Sequence, residues 1–365
     1  MLRIAICDDD GATVQANRSI AEDCLKQCGS AGEIAAYTHS DNLLYDITED
    51  GFFFDLILLD IEMPGMSGLE FLKEVLPTHP VPVILVSSLN VRVFDALAAG
   101  AVDFVRKPNM EQAGGKEAFL TTLKSKLAMG SNARVRLPSA SAPSSVAALT
   151  RTAPAGFSVA SNGSQTASRV SNPSSRVDLI AIGASTGGTE AILDVVSRFP
   201  ARMPGIVITQ HMPAGFTSMY AERLNRLCKL DVKEAKHGDK VQPGLILLAP
   251  GGLQMRVVRL GTGYSVSCTD EAKVSGHRPS VDVLFDSVAT HVRGRAIGVI
   301  LTGMGADGAA GMLRMRKAGA YTIGQDRESC VVYGMPMEAY KIGGVCQQAS
   351  LTNIPQLLLA QLAKG

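Results

Sequence analysis

The 365-residue chain has no Cys-x-x-Cys pair, no apolar run approaching the length of a bilayer span, and almost no net charge, at +1. Each absence removes a class of protein. Seven cysteines (Cys7, Cys24, Cys28, Cys228, Cys268, Cys330 and Cys346) form an odd set without paired metal-ligand spacing. Cys24 and Cys28 lie four apart on an expected helix, yet buried thiols in a reducing compartment account for the set better than disulfides or zinc do. Without a long apolar run there is no transmembrane helix. The opening MLRIAICDDD carries three acids by position ten, which excludes a secretory signal. The chain is expected to be soluble and cytoplasmic, with no direct membrane insertion.

The near-zero net charge is an average over unlike parts. Residues 1–127 carry 10 basic and 19 acidic side chains, for −9; residues 128–176 carry five Arg and no acid, for +5; residues 177–365 carry 20 basic and 15 acidic, again +5. A chain this long suggests two domains, and this asymmetry says where they divide. Residues 128–176 contain 12 Ser and 10 Ala and no sustained apolar period. Such a stretch cannot offset its ordering entropy by burial and reads as a flexible linker. The basic parts are then expected to attract the acidic first domain, or acidic partner helices, mainly through encounter rate and orientation. Nucleic acid is not an expected partner: the sequence has no helix-turn-helix signature, and the second domain is only mildly basic.

On both sides of the linker, short apolar runs alternate with amphipathic stretches. RIAIC, FDLILLD, PVILVSS and AVDFVRKP precede it; VDLIAIG, GIVITQ, GLILLAP and RAIGVIL follow it. Strands apolar on both faces, alternating with helices, imply parallel sheets covered on both sides. The expected fold class is α/β, with two doubly wound domains: a flavodoxin-like one at 1–127 and a Rossmann-like one at 177–365. Helices are expected at 188–199, 215–228, 281–291, 308–318 and 336–342 in the second domain, and 253–268 reads as a hairpin insertion.

In open parallel sheets functional groups collect at the carboxyl ends of the strands. In the first domain those ends carry Asp8 and Asp9, then Asp60, then Ser87, then Lys107 just before Pro108. Crowded carboxylates repel one another unless a hard cation such as Mg²⁺ joins them. A lysine and a hydroxyl beside an aspartate nucleophile suit a phosphoryl group. Asp10 reads as the cap of the following helix. The ordered set, DD after the first strand, then LLDIEMPGMSG, VSS and FVRKP, resembles the receiver domain of two-component response regulators across residues 1–125. That resemblance implies phosphorylation of Asp60, Mg²⁺ held with Asp8 and Asp9, a switch hydroxyl at Ser87, a phosphoryl contact from Lys107, and an aromatic at Phe104 that rearranges with it.

In the second domain VDLIAIGASTGGTEAILDVV reads strand, Gly-rich turn, helix. A phosphate-cradling loop is one reading, but the turn is not G-x-G-x-x-G and has no Walker lysine. The other is G-x-S-x-G at Gly183, Ser185 and Gly187, a serine on a sharp strand-to-helix turn. Serine needs a base. His211, in VITQHMP, directly follows an expected buried strand; His277, in SGHRPSVD, competes with it; His237 and His291 sit in a polar loop and at a helix end, and His39 and His79 belong to the first domain. Asp307 follows another strand and is the candidate orienting carboxylate, whereas Asp194 and Asp286 lie inside expected helices. The order Ser–His–Asp is not that of α/β-hydrolases, but triads are defined by geometry.

IGASTGG, QHMP, LAPGG, SGHRPSVDVLF, LTGMGADG and GMPMEAY look like the catalytic domain of the chemotaxis methylesterases over 177–360, and the whole chain is similar to their receiver-bearing family. The resemblance implies Ser185 as nucleophile, His211 as base and acid, Asp307 as its orienting partner, and the main-chain amide of Met304 in the oxyanion site. The amide of Thr186 is a second oxyanion candidate on elbow geometry. It further implies demethylation of glutamate methyl esters on chemoreceptors, deamidation of particular glutamines, a chemotaxis histidine kinase as phosphodonor, and no cofactor at the hydrolytic site. The rival reading is a non-enzymatic phospho-switch carrying a pseudo-esterase binding domain.

Overall fold

A computed structural model describes residues 2–27, 31–88, 92–107, 115–130, 133–137 and 177–364. The first sheet is built from β1 (Leu2–Cys7), α1 (Gly11–Gln27), β2 (Gly32–Tyr37), α2 (Ser40–Thr48), β3 (Leu56–Leu59), α3 (Gly68–Val75), β4 (Val83–Ser87), α4 (Arg92–Ala98), β5 (Asp103–Arg106) and α5 (Gly115–Gly130). Its strand order is β2-β1-β3-β4-β5, all parallel, the doubly wound order of flavodoxin-like folds. Alternate residues of each strand serve opposite faces. Ile4, Ile6, Leu56 and Leu58 join Val14, Ile20 and Leu123 on the α1 and α5 side. Ala5, Cys7, Ile57 and Leu59 join Leu43, Phe71 and Phe94 on the other. Helix α3 starts on a capping box, Ser67 and Glu70 each bonding the other's backbone amide.

The second sheet uses β6 (Leu179–Ala184), α6 (Gly188–Val196), β7 (Gly205–Gln210), α7 (Phe216–Leu227), β8 (Asp231–Glu234), β9 (Lys240–Val241), β10 (Leu245–Leu248), β11 (Gln254–Leu260), β12 (Gly263–Thr269), α8 (Val281–His291), β13 (Ala296–Ile300), α9 (Ala309–Lys317), β14 (Tyr321–Gln325), α10 (Met335–Lys341), β15 (Gln347–Ala349) and α11 (Ile354–Ala363). Seven parallel strands run in the order β15-β14-β13-β6-β7-β10-β8, and β11, β12 and β9 form a separate small sheet. The expected hairpin is therefore present, with β9 as a third strand. Phe285 of α8 lies fully buried among Val281, Leu284 and Met312 on one face of the large sheet.

Helix α5 continues to Gly130, three residues into the range read as linker, because Leu123 and Leu127 still bury against the first sheet. Residues 133–137 also belong to the folded part: the Arg134 amide donates to the Val331 carbonyl, and the Arg136 guanidinium meets Asp194 at 2.8 Å. The rest of the expected linker, 131–132 and 138–176, and Pro108 lie outside the described residues. Across the junction Phe94 stacks on Tyr220 with ring centroids 5.5 Å apart, and Phe104 meets Phe216 at 4.6 Å. The Arg223 guanidinium also lies over the Phe94 ring, 5.9 Å from its centroid, so the junction joins aromatic packing to local charge. Among the described residues no helix is long and apolar enough to cross a membrane.

Phe285→Ala should lower the unfolding free energy by ~3–5 kcal/mol, through lost transfer energy and the cavity left behind. Denaturant titration would show it, and a loss below about 1 kcal/mol would contradict the packing described.

Candidate active site

Strand order decides what meets. Strand β6 lies between β7 and β13, and the helices that follow β6 and β13, α6 and α9, pack on opposite faces of the sheet, so a crevice opens at the carboxyl end of β6. Ser185 follows β6, His211 follows β7, and Asp307 lies in the loop after β13. Their side chains form one chain of hydrogen bonds: Ser185 Oγ to His211 Nδ1 at 3.0 Å, and His211 Nε2 to Asp307 Oδ2 at 2.7 Å. The ring is used in the opposite sense to the familiar serine-protease triad, where Nε2 faces the serine.

The backbone around Ser185 is tightly specified. Its amide donates to the Thr302 carbonyl at 3.0 Å, and its carbonyl accepts from the Gly188 amide at 2.7 Å and from Gln210 Nε2 at 2.9 Å. Gly187 caps α6 with φ of 73°, a left-handed conformation that favours glycine. Gly303 lets the loop after β13 approach: a Cβ there would stand 2.8 Å from Ser185 Cβ. The loop also brings Met304 to the mouth of the cleft beside Thr186, so both oxyanion candidates line the same space as Ser185 and His211. That cleft has a volume of about 870 Å³ and runs between the two halves of the molecule.

Asp307 is nearly inaccessible, at 2% exposure. Besides His211, its carboxylate accepts from Ser280 Oγ at 2.7 Å, the Val281 amide at 2.7 Å and the Asp282 amide at 3.1 Å. Burial alone would push its carboxyl up, but His211, Ser280 and the Val281 amide more than offset this and hold it below the usual range. The amides come from the first turn of α8, which adds the favourable end of a helix dipole. Sequence reasoning missed Ser280 and Gln210; Ser280 was legible as the start of a helix in SGHRPSVD, but not as a partner of Asp307. His277, the competing base, makes no described bond to Ser185 and stacks instead on His211. His237 lies with Nδ1 3.4 Å from the Cys268 carbonyl.

In the first sheet the order reverses between β1 and β3, and there Asp8, Asp9 and Asp60 present oxygens within 4.8 Å of one another. Lys107 Nζ reaches Asp60 Oδ2 at 2.5 Å and Asp8 Oδ2 at 2.8 Å. Burial, assisted by Asp60, pushes the Asp8 carboxyl up against the pull of Lys107. Burial works against the charge on Lys107, but the two carboxylates hold its ammonium above the ordinary range. Ser87 Oγ is buried and has no hydrogen-bond partner among the described residues. Hard oxygens with one lysine among them fit a divalent cation. From this half Asp103 also reaches the other site: Thr186 Oγ1 donates to Asp103 Oδ2 at 2.5 Å, while Lys126 pairs with Asp103 Oδ1.

The sequence profile of CheB methylesterase matches residues 180–358, and that of the response regulator receiver domain matches 4–116. A protein-glutamate methylesterase/protein-glutamine glutaminase 2 of Syntrophomonas wolfei is 50% identical over 83% of this chain and 83% of its own. A protein-glutamate methylesterase/protein-glutamine glutaminase of Sulfurimonas denitrificans is 43% identical over 100% of this chain and 99% of its own. Among solved structures, the catalytic domain of Thermotoga maritima CheB methylesterase is 34% identical, covers 50% of this chain and 98% of that one, and has a TM-score of 0.49.

The depressed Asp307 carboxyl gives a pH signature. Its stabilisation is complete above the ordinary carboxylate value of 3.8 and is lost as pH falls through the lower folded value. Asp307→Asn should therefore cost about 1–3 kcal/mol near neutral pH, a deficit that narrows in melting curves as pH falls below the ordinary carboxylate value of 3.8. A deficit independent of pH would contradict the ionised, hydrogen-bonded carboxylate.

Proposed function

Because the chain belongs to the family of protein-glutamate methylesterases/protein-glutamine glutaminases, with a response regulator receiver domain ahead of the hydrolase, we propose that it hydrolyses γ-glutamyl methyl esters on chemoreceptors under control of Asp60 phosphorylation. The observation that carries this reading is the hydrogen-bonded chain Ser185–His211–Asp307 at the mouth of a cleft.

Ser185 Oγ attacks the ester carbonyl as its proton passes to His211 Nδ1. Asp307, ionised and held by Ser280 and the Val281 and Asp282 amides, stabilises the imidazolium through Nε2. The tetrahedral oxyanion is accepted by the main-chain amide of Met304, with that of Thr186 as a second donor. His211 then protonates the departing methoxide, leaving methanol and an acyl-serine. Water, deprotonated by the same ring, cleaves the acyl-serine to free glutamate and restores Ser185. A glutamine side chain passes through the same intermediate with ammonia as leaving group, which accounts for deamidation.

The receiver supplies the control. Asp103 bonds Thr186 beside the nucleophile, Ser125 Oγ lies 3.8 Å from Met304 Sδ, and Phe104 packs on Phe216. In this arrangement the receiver covers one side of the cleft. Mg²⁺, which Asp8, Asp9 and Asp60 would hold, supplies neutralising charge for an incoming phosphoryl group. Once Asp60 is phosphorylated, Lys107 and the unpartnered Ser87 hydroxyl turn to the new oxygens. Phe104, at the end of the same sheet, gives up its place against Phe216, and the balance shifts toward an open cleft. A chemotaxis histidine kinase is the phosphodonor, and cytoplasmic receptor helices in the same compartment are the substrate.

Ser185→Ala should lower methanol release from methylated receptor membranes by about 10³-fold or more, while phosphorylation of Asp60 stays normal. Near-normal turnover in that variant would sink the assignment. Asp103→Ala should raise release without a phosphodonor by about 5- to 10-fold, since a charge-assisted hydrogen bond holds the closed form. Unchanged basal release would overturn the latch.

A further inference from the structure

We infer that His277 is a positioning residue for the hydrolysis, its ring stacked on His211 so as to fix the base and stabilise the imidazolium it becomes. The two ring centroids are 3.7 Å apart and their planes 9° from parallel. Both edges of His211 are already engaged, Nδ1 with Ser185 and Nε2 with Asp307, so His277 acts on a face.

The loop that carries His277 is built to hold it there. Val274 and His277 exchange both backbone hydrogen bonds, at 3.0 and 2.9 Å, across a turn with positive φ at Ser275 and Gly276. Gln254, fully buried, donates from Nε2 to the His277 carbonyl at 3.1 Å and accepts the Ser280 amide at 2.9 Å. Arg278 is tied to Asp270 and to the Glu271 carbonyl. The same short segment therefore presents a ring to His211 and, through Ser280, Val281 and Asp282, the donors that hold Asp307.

The charge state of the ring matters as much as its place. Burial pushes the His277 imidazole down to about 4. His211, Lys126 of α5 and Lys273 of its own loop repel a proton there, against a weaker pull from Asp307. Near neutral pH the ring facing His211 is thus uncharged. A neutral aromatic face attracts a planar cation, most strongly where water is excluded. Such a face favours the state in which Ser185 has given up its proton, and it limits rotation of the base away from the serine. It makes His277 unsuitable as the base, and resolves the competition between the two histidines in favour of partnership.

This inference rests on the hydrolase reading above, and its test separates the two. Full-length protein with a saturating small-molecule phosphodonor is assayed for methanol release from methylated receptor membranes, with Ser185→Ala as the blank. His277→Leu, which keeps volume but removes the ring, should lower kcat by about 5- to 30-fold with little change in KM. His277→Phe, a neutral ring, should stay within about 3-fold of the parent, and His277→Arg, a fixed cation on the same face, should fall below His277→Leu. Equal activity of the leucine and phenylalanine variants, or a defect confined to KM, would overturn the stacking role while leaving the hydrolase standing. No release by the parent protein would remove both. Should the leucine variant not fold, the phenylalanine–arginine contrast, read in protein with the parent's circular dichroism, decides the same point.

Discussion

Parallel strands all deliver their carboxyl ends to one edge, and where consecutive crossovers leave for opposite sides, that edge opens into a crevice no helix fills. Both reactive clusters depend on this constraint. In the receiver the order reverses between β1 and β3, which brings Asp8 and Asp9 to Asp60. In the hydrolase it reverses between β6 and β13, so residues separated by up to 122 positions, Ser185 and Asp307, share one hydrogen-bonded chain through His211 on the neighbouring β7. The flanking apolar cores do not take part in the chemistry. They hold the strand ends at fixed spacing, because close-packed interiors resist small displacements.

Within the hydrolytic site the energetic problem is Asp307, a carboxylate cut off from water. An unpaired charge in such a place would simply take up a proton. Four donors, from His211, Ser280 and the first turn of α8, keep it ionised and aimed. The segment before α8 thus has two tasks: it neutralises the cost of burying Asp307, and it lays His277 on the face of His211. Specifying both from one rigid loop couples the orientation of the base to that of its carboxylate.

The two halves meet at β5, an edge strand of the receiver sheet. Lys107, just past its end, pairs with Asp60, while Phe104 packs on Phe216 and Asp103 accepts from Thr186, next to Ser185. A change at Asp60 therefore has a short physical route to Ser185, one strand long. The charge contrast between the halves adds attraction over distance, while the seat itself combines two aromatic pairs, Phe94 on Tyr220 and Phe104 on Phe216, with the Asp103–Thr186 hydrogen bond. Aromatic packing depends on shape, so a modest movement of Phe104 removes more of it than an equal movement would remove from a screened ion pair.

Much of this was legible in the sequence, for definite reasons. Runs such as LILL and AIGVIL carry no polar side chain because strands buried on both faces need that, so β1, β3, β4, β5, β6, β7, β10 and β13 were readable, as were the carboxylates, Ser185 and His211 at their ends. The elements that escaped had weaker local signals. β2 is a half-exposed edge strand, GEIAAY; β8 and β15 are short and flank the outside of their sheet. Local periodicity records whether a residue is buried, not beside what. The chain alone therefore determined the α/β class and which residue types stand at the strand ends. That His211 rather than His277 faces Ser185, that its Nδ1 does so, that Ser280 and α8 hold Asp307, and that Asp103 reaches Thr186 were decided only by the order of strands and the packing of loops across long separations.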